Sequence, residues 1–409
     1  MTVACVSGRR TVEVLAGLGL RTVLIDDEIS AELAWLADVA VEADLDDWDA
    51  VERALSEVHR RSPLSAVLST RDSYVRLAAF LAARLGVRGL ALPAALNCRD
   101  KARFRRVLQS AGLPAPRWAQ PSRVEEAVSA AGRLGYPVVV KPREGAGAAG
   151  VRYCRGADEV SSAAGELTAG GKQVLVEEYV EGPELAVQAV TVDRRTEVVN
   201  VLLQHVGPPP RFAELGYDFP SGLTAREEQA ARDLAEATLS ALGFDNGASH
   251  IQLRMGPAGP VVIEVNPRPP GGRLSYLTEV VSGLDLVRAA IEATLGGPVT
   301  RTAPVASCAL YRCVTFSESG VVSYRPEVEQ NELPPLEGPL PPLVEMDVSP
   351  GDLVLPLDDP EGGVYGRVLV FGNDRAQTER DHQAILEALQ LRVDPIPARL
   401  AATAAAQGR

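Results

Sequence analysis

The sequence has no Cys-x-x-Cys pair, no long apolar run and no excess of basic residues. Its five cysteines, at positions 5, 98, 154, 308 and 313, are odd in number and fit no disulfide framework. They are expected to be buried thiols in a reducing compartment. No segment approaches the roughly 18 consecutive apolar residues of a membrane-spanning helix. The N-terminal stretch MTVACVSGRRTVEV lacks a charged leader followed by an apolar segment of signal length, so a cytoplasmic protein without membrane contact is expected. Lys and Arg number 41 against 54 Asp and Glu, a net charge of −13. That deficit argues against nucleic acid as a partner, which calls for a basic patch, but leaves room for a small anionic ligand held by a few focused cations. Aromatics are only 5%, so Ala, Val and Leu must build most of the core. What is present is ordinary globular composition: 409 residues, 46% hydrophobic and 23% charged, enough for about two to four domains.

Residues 1–95 alternate short β-branched runs with amphipathic stretches. Met1–Val6, Arg21–Ile25 and Leu64–Ser69 read as strands, and Thr11–Leu18, Leu45–Val58 and Tyr74–Leu85 as helices. This βαβα order predicts a parallel sheet covered by helices. Pro93 and Asn97 mark a boundary. A second unit, residues 96–300, opens with the basic helix Asp100–Ala111 and a further helix, Val124–Leu134. It then turns to strand-like runs with hairpin-length gaps, which predict antiparallel sheet. Residues 115–182 form a lid-like subdivision of this unit. Ala225–Leu242 reads as a long helix ended by Gly243, and HIQLRM and PVVIEVN as strands paired around the turn GPAG. Residues 301–409 read as a third, β-rich unit, interrupted by the proline-rich Pro334–Pro342 and closed by a helix near Glu379–Leu389. The fold class is α/β and α+β, multidomain.

Three segments carry chemistry. The first is the glycine loop KPREGAGAAGV. A lone G-x-G-x-x-G is weak evidence, and here a strand precedes it while the strand-like VRYC follows. The loop is therefore expected to join a hairpin and lie over phosphates as a flap, with small residues letting backbone N–H groups approach phosphate oxygens. Lys141 at the strand end reaches the same oxygens. The second segment is VLVEEYVEGPE. A strand leaving its partner at Glu177–Val180 offers a nucleobase one backbone acceptor and one donor, and Glu184 past the turn is placed to accept ribose hydroxyls. The third is HIQLRMGPAGPVVIEVNPRPPGG. Glu264, Asn266 and Arg268 alternate, so on a strand they share one face. A carboxylate, an amide oxygen and a guanidinium pointing one way suit a Mg²⁺–phosphate site better than a core. Arg268 would balance charge that develops in phosphoryl transfer.

In this order, the three segments resemble the ATP-grasp superfamily. Within it the chain is similar to the carboxylate–amine ligases that include the bacterial L-amino-acid (dipeptide) ligases. The resemblance implies an ATP-grasp fold with an N-terminal α/β domain, a central ATP-grasp domain and a β-rich C-terminal domain, with ATP and Mg²⁺ as cofactors. Lys101 matches the ATP-contacting lysine that opens the grasp domain, and Lys141 the lysine before the flap. Val139 would wall the adenine, and Gly145, Gly147 and Gly150 would line the phosphates. Glu177 and Val180 match the backbone adenine contacts and Glu184 the ribose contact. Glu264 and Asn266 match magnesium ligands, and Arg268 the catalytic arginine. Family members carry an acid and a histidine in a loop before the last helix of the grasp domain. Here that loop reads PPPRFAELGYDFPSG; Glu214 fits the acid that holds a substrate ammonium, and Tyr217 stands where dipeptide ligases have histidine. Across the GPAG turn, the second magnesium position is normally a carboxylate but here is Gln252, which brings an oxygen and no charge.

The implied reaction joins a carboxylic acid to an amine through an acyl phosphate, releasing ADP and phosphate. Both substrates are small molecules, amino-acid-like on the evidence of Glu214, and the resemblance permits a homodimer in bacterial small-molecule biosynthesis. Gln252 keeps open a catalytically degenerate nucleotide binder, and the shared E-x-N-x-R strand a biotin-carboxylase-like enzyme using bicarbonate. His205 is a candidate substrate contact, and His250 reads as a packed strand-end residue. Arg99, Arg103, Arg105 and Arg106 read as a solvated helix face with one functional member.

Overall fold

A computed structural model describes residues 1–145, 149–209, 212–324, 336–359, 362–389 and 392–396. Gly147, most of the C-terminal tail and parts of the expected flap and proline-rich segment lie outside these residues.

The N-terminal unit is a parallel sheet in the order β3-β2-β1-β4, built from β1 (Thr2–Val6), β2 (Arg21–Asp26), β3 (Val39–Glu42) and β4 (Ala66–Leu68). Helices α1 (Arg9–Gly17), α2 (Ala31–Leu36), α3 (Trp48–Arg61) and α4 (Val75–Leu85) accompany it. Strand β1 is buried along its whole length, as a strand covered on both faces must be. The sequence reading passes over α2 and β3, which are too short to carry a clear period. It also starts α3 three residues early, because Asp47 accepts the Ala50 N–H and sets the cap. The expected boundary at Pro93 and Asn97 falls within helix α5 (Leu92–Arg99). Proline sits in its first turn, where a missing N–H costs nothing. Helix α6 (Lys101–Ser110) follows at once, capped by Asp100, whose carboxylate accepts from the Ala102 and Arg103 N–H groups.

The lid is an antiparallel sheet in the order β5-β8-β6-β7, made of β5 (Trp118–Ala119), β6 (Val138–Pro142), β7 (Arg152–Cys154) and β8 (Val174–Glu178). Helices α7 (Val124–Leu134) and α8 (Ala157–Ala169) cover one face, and α8 is absent from the sequence reading. Alternation along β6 is strict. Val138 and Val140 pack on Ala127, Ala131, Ala163 and Ala164, which leaves Val139 and Lys141 on the open face.

The largest sheet has eight strands in the order β13-β12-β9-β10-β11-β14-β18-β16. Its members are β9 (Glu184–Val192), β10 (Arg195–Val206), β11 (Glu214–Phe219), β12 (Gly247–Gly256), β13 (Gly259–Asn266), β14 (Cys308–Val314), β16 (Leu343–Met346) and β18 (Gly366–Gly372). The short strands β15 (Gly320–Tyr324), β17 (Leu353–Val354) and β19 (Arg392–Pro395) make a separate three-stranded sheet. Helix α9 (Ala225–Leu242) packs Leu234 and Leu239 on Leu185, Val187 and Ile251. Helices α10 (Arg273–Ser282) and α11 (Leu286–Leu295) cover parts of the other face, and α12 (Arg375–Leu389) lies on β18.

Two expectations are corrected here. The segment read as the loop PPPRFAELGYDFPSG contains β11, paired on both sides, with Tyr217 in the core at 1% exposure. It precedes α9, with α10 and α11 still to come. The strands of residues 301–409 divide between two sheets: β14, β18 and β16 continue the main sheet outward from β11, and β15, β17 and β19 pair among themselves. All five cysteines are free, and four are buried. Among the described residues no helix is long and apolar enough to cross a membrane.

Candidate active site

The lid and the main sheet enclose a cleft of about 950 Å³. Lys141 enters it from the open face of β6 and Lys101 from the first turn of α6. Lys141 Nζ is 2.7 Å from Glu177 Oε2, with both side chains almost wholly buried. Lys101 Nζ donates to the Gly145 carbonyl at 3.0 Å and lies 3.7 Å from Glu264 Oε1. It thus links the base of the glycine loop to the edge strand β13. Burial pushes the Glu177 carboxyl up, but Arg105 and Lys141 overcome it and hold the group near 2. Burial brings Lys141 down to about 8 against the pull of Glu177.

The structure changes several assignments around these lysines. Glu177 is expected to offer its backbone to a nucleobase, yet it stands inside the ladder, paired with Val139 and Trp118. Its contribution is the buried carboxylate. The chain leaves the sheet at Tyr179–Val180, where the Val180 N–H makes no backbone hydrogen bond among the described residues and its carbonyl accepts from Arg254. Val139, Val180, Glu184 and Gly145 line the cleft. Gly150 does not; its φ of 77° and a Cβ position 3.1 Å from Leu167 require glycine for the turn itself. Glu184 is buried at the start of β9, where Arg254 Nη2 binds Oε2 at 3.0 Å and Gln252 Nε2 donates to Oε1 at 3.3 Å.

Across the two-residue turn of the β12–β13 hairpin, Gln252 is in register with Glu264 and His250 with Asn266. Gln252, Glu264 and Asn266 all face the cleft. The Gln252 amide nitrogen also reaches Gln204 Oε1 at 3.4 Å, and its oxygen makes no hydrogen bond among the described residues. Those residues contain no group of three His, Cys, Asp or Glu placed to hold a metal. The donors are one carboxylate and two amide oxygens, a hard set that fits Mg²⁺ when phosphates and water complete the shell. Strand β13 ends at Asn266, so Arg268 reaches the cleft from the following turn and not by strand alternation. Its Nε lies 3.4 Å from Asp72 Oδ1 of the N-terminal unit, and Asp72 also accepts from Arg99 at 2.9 Å.

Tyr217 donates to Glu214 Oε2 at 2.7 Å and stacks on Tyr311, with ring centroids 5.9 Å apart. Both lie along the cleft wall with Glu214. His205 is not part of it. Gln204 and Val206 face the cleft, so His205 points through the opposite face of β10, with Nε2 3.1 Å from Asp218 Oδ2. Arg312 and Arg375 bind the same carboxylate. His250 lines the cleft but is buried, 3.0 Å from the Gln188 amide nitrogen. Burial and then Arg268 hold it down at about 3, so it is neutral at physiological pH.

Residues 100–302 match the family model of the carbamoyl-phosphate synthase L chain, ATP binding domain. Those residues form an ATP-grasp ATP-binding domain. An uncharacterized protein of Sinorhizobium fredii is 29% identical over 78% of the chain and 67% of its own length. Carnosine synthase 1 of Gallus gallus is 30% identical over 67% of the chain, which spans only 32% of that relative. The crystal structure of an L-amino acid ligase from Bacillus licheniformis superposes with a TM-score of 0.77 over 97% of this chain and 99% of that one. At 21% identity this likeness concerns the fold.

Within this ATP-grasp frame, sequence reasoning misses Arg105, Arg254, Gln204 and Tyr311. Arg105, assigned to a solvated face, is 1% exposed. The signal was available: with Phe104 and Leu108 it occupies the apolar phase of α6. Arg254 continues the alternation of His250 and Gln252 along β12. Its guanidinium lies over the rings of Tyr179 and Phe212, at 4.9 and 5.7 Å.

Proposed function

We propose that this chain is an ATP-dependent carboxylate–amine ligase that forms an amide bond through an acyl phosphate. The observation that carries the reading is the set of charges that line one cleft: Lys101 and Lys141, Glu264 and Arg268, and Glu214, with Lys101 3.7 Å from Glu264. The lysines suit ATP phosphates, Glu264 and Arg268 the reacting groups, and Glu214 a substrate ammonium.

In this reading Val180 and Val139 receive the adenine, Glu184 the ribose, and the two lysines the phosphates. Mg²⁺ held by Glu264, Asn266 and Gln252 would supply positive charge to the phosphates. A carboxylate oxygen attacks the γ-phosphorus and ADP leaves. The amine nitrogen then attacks the acyl carbon, and orthophosphate leaves with the former carboxylate oxygen. Arg268 offsets charge at the transferring group, Glu214 orients the amine-bearing substrate, and the lid excludes water from the acyl phosphate. No protein nucleophile takes part.

The test pairs amino acids and small acids with ATP and reads ADP and orthophosphate together. A pair that releases both in equal amounts, dependent on acid and amine, supports the ligase. Nucleotide binding without turnover for any pair favours the degenerate binder, for which the neutral Gln252 is the structural argument.

A further inference from the structure

We infer that Arg105 is a positioning residue for the nucleotide end of the cleft: it takes up the Glu177 carboxylate so that the charge of Lys141 stays free to face phosphate. The inference rests on the ATP-site reading above and concerns a residue with no place in it.

Arg105 donates from Nε to Glu177 Oε1 at 2.9 Å and from Nη2 to Oε2 at 3.0 Å, a two-pronged grip. It also donates to the Val262 carbonyl at 3.2 Å and the Ile263 carbonyl at 2.8 Å. One buried guanidinium therefore spans α6, the lid strand β8 and the edge strand β13, next to Glu264. Tying these elements together does not require a charge, and burying one is costly unless it is paired. The charge count supplies the reason. The groups facing Lys141 are Glu177 on β8 and Arg105 and Lys101 on α6, and Lys101 is itself close to Glu264. Two cations share the single carboxylate of Glu177. Without Arg105, Lys141 and Glu177 would make a closed neutral pair, and Lys141 would bring little net charge to a phosphate. With Arg105 in place the trio carries an excess positive charge, and Glu177 is fixed against the sheet.

The test is binding of a non-hydrolysable ATP analogue, measured by calorimetry on the full chain without turnover. Arg105→Met should raise the Kd at least about tenfold, the loss of one favourable charge contact. Because Arg105 acts through Glu177, its removal should cost nothing once that carboxylate is gone. The double variant Arg105→Met/Glu177→Gln should bind within about threefold of Glu177→Gln alone. A smaller loss in Arg105→Met, or a double variant more than threefold weaker than Glu177→Gln, overturns the inference. If Arg105→Met does not fold, the comparison of the two Glu177→Gln proteins decides alone. Failure of the unmodified chain to bind the analogue would contradict the ATP-site reading, a result distinct from either of these.

Discussion

Lys141 and Gln252 are the two residues whose surroundings make the sharpest demands. Lys141 titrates near 8 because it is buried, even with Glu177 beside it. Phosphate binds the charged form, so ATP affinity should be flat below pH 8 and fall about tenfold per unit above it, as the free protein loses that proton. Lys141→Met should bind more weakly at neutral pH and show no break; a break that survives the substitution assigns it to another group. Gln252 uses its amide nitrogen on Glu184 and Gln204. Gln252→Glu would replace that donor with a carboxylate facing Glu184 and in register with Glu264. Without metal, the variant should lose roughly 1–3 kcal/mol of stability, the cost of a lost buried hydrogen bond. Mg²⁺ with ATP should recover more stability in the variant than in the parent. Thermal melts with and without Mg-ATP measure both, and equal melting in the absence of metal would remove Gln252 from this network.

At the scale of elements, period and register decide what the sequence discloses. Helix α9 is legible to the residue because Thr224 and Glu227 form a reciprocal cap and Gly243 closes it in the left-handed conformation. The hairpin β12–β13 is equally plain, and with it Gln252, Glu264 and Asn266. His205 lies off the site because the alternation of β10 sends Gln204 and Val206 into the cleft and His205 through the opposite face. Arg268 reaches the site only through the turn after β13, and its partner Asp72 lies in a 3₁₀ turn (Asp72–Tyr74) almost 200 residues earlier, a long-range contact that no local pattern encodes. Asp72 thus ties the N-terminal unit to the proposed chemistry. Asp72→Asn should lower kcat by roughly tenfold while leaving ATP affinity within about twofold, as expected of a group that orients a transition-state donor. Arg268→Ala should cost about 10²-fold or more in kcat. Steady-state kinetics alongside analogue binding separates these effects, and an equal loss of ATP affinity in Asp72→Asn would make its role structural.

For the whole molecule, the order of motifs along the chain carried the superfamily assignment, but not the way the sheets join. The main sheet runs across the expected boundary near residue 300, since β11 pairs with β14 as well as with β10. Tyr311 of β14 therefore faces Tyr217 in one cleft, although the two belong to segments that read as separate. Strand pairing at long range is set by packing, so no local pattern discloses this junction. The cleft that results brings Lys101, Lys141, Arg268, Glu264 and Glu214 into one enclosure. The claim that it activates a carboxylate as an acyl phosphate is tested most directly by isotope transfer. With a substrate pair in hand, the acid is labelled with ¹⁸O in its carboxylate and turned over with unlabelled ATP. The account predicts one labelled oxygen in each orthophosphate released with ADP, and label appearing in AMP, or none in phosphate, would contradict it.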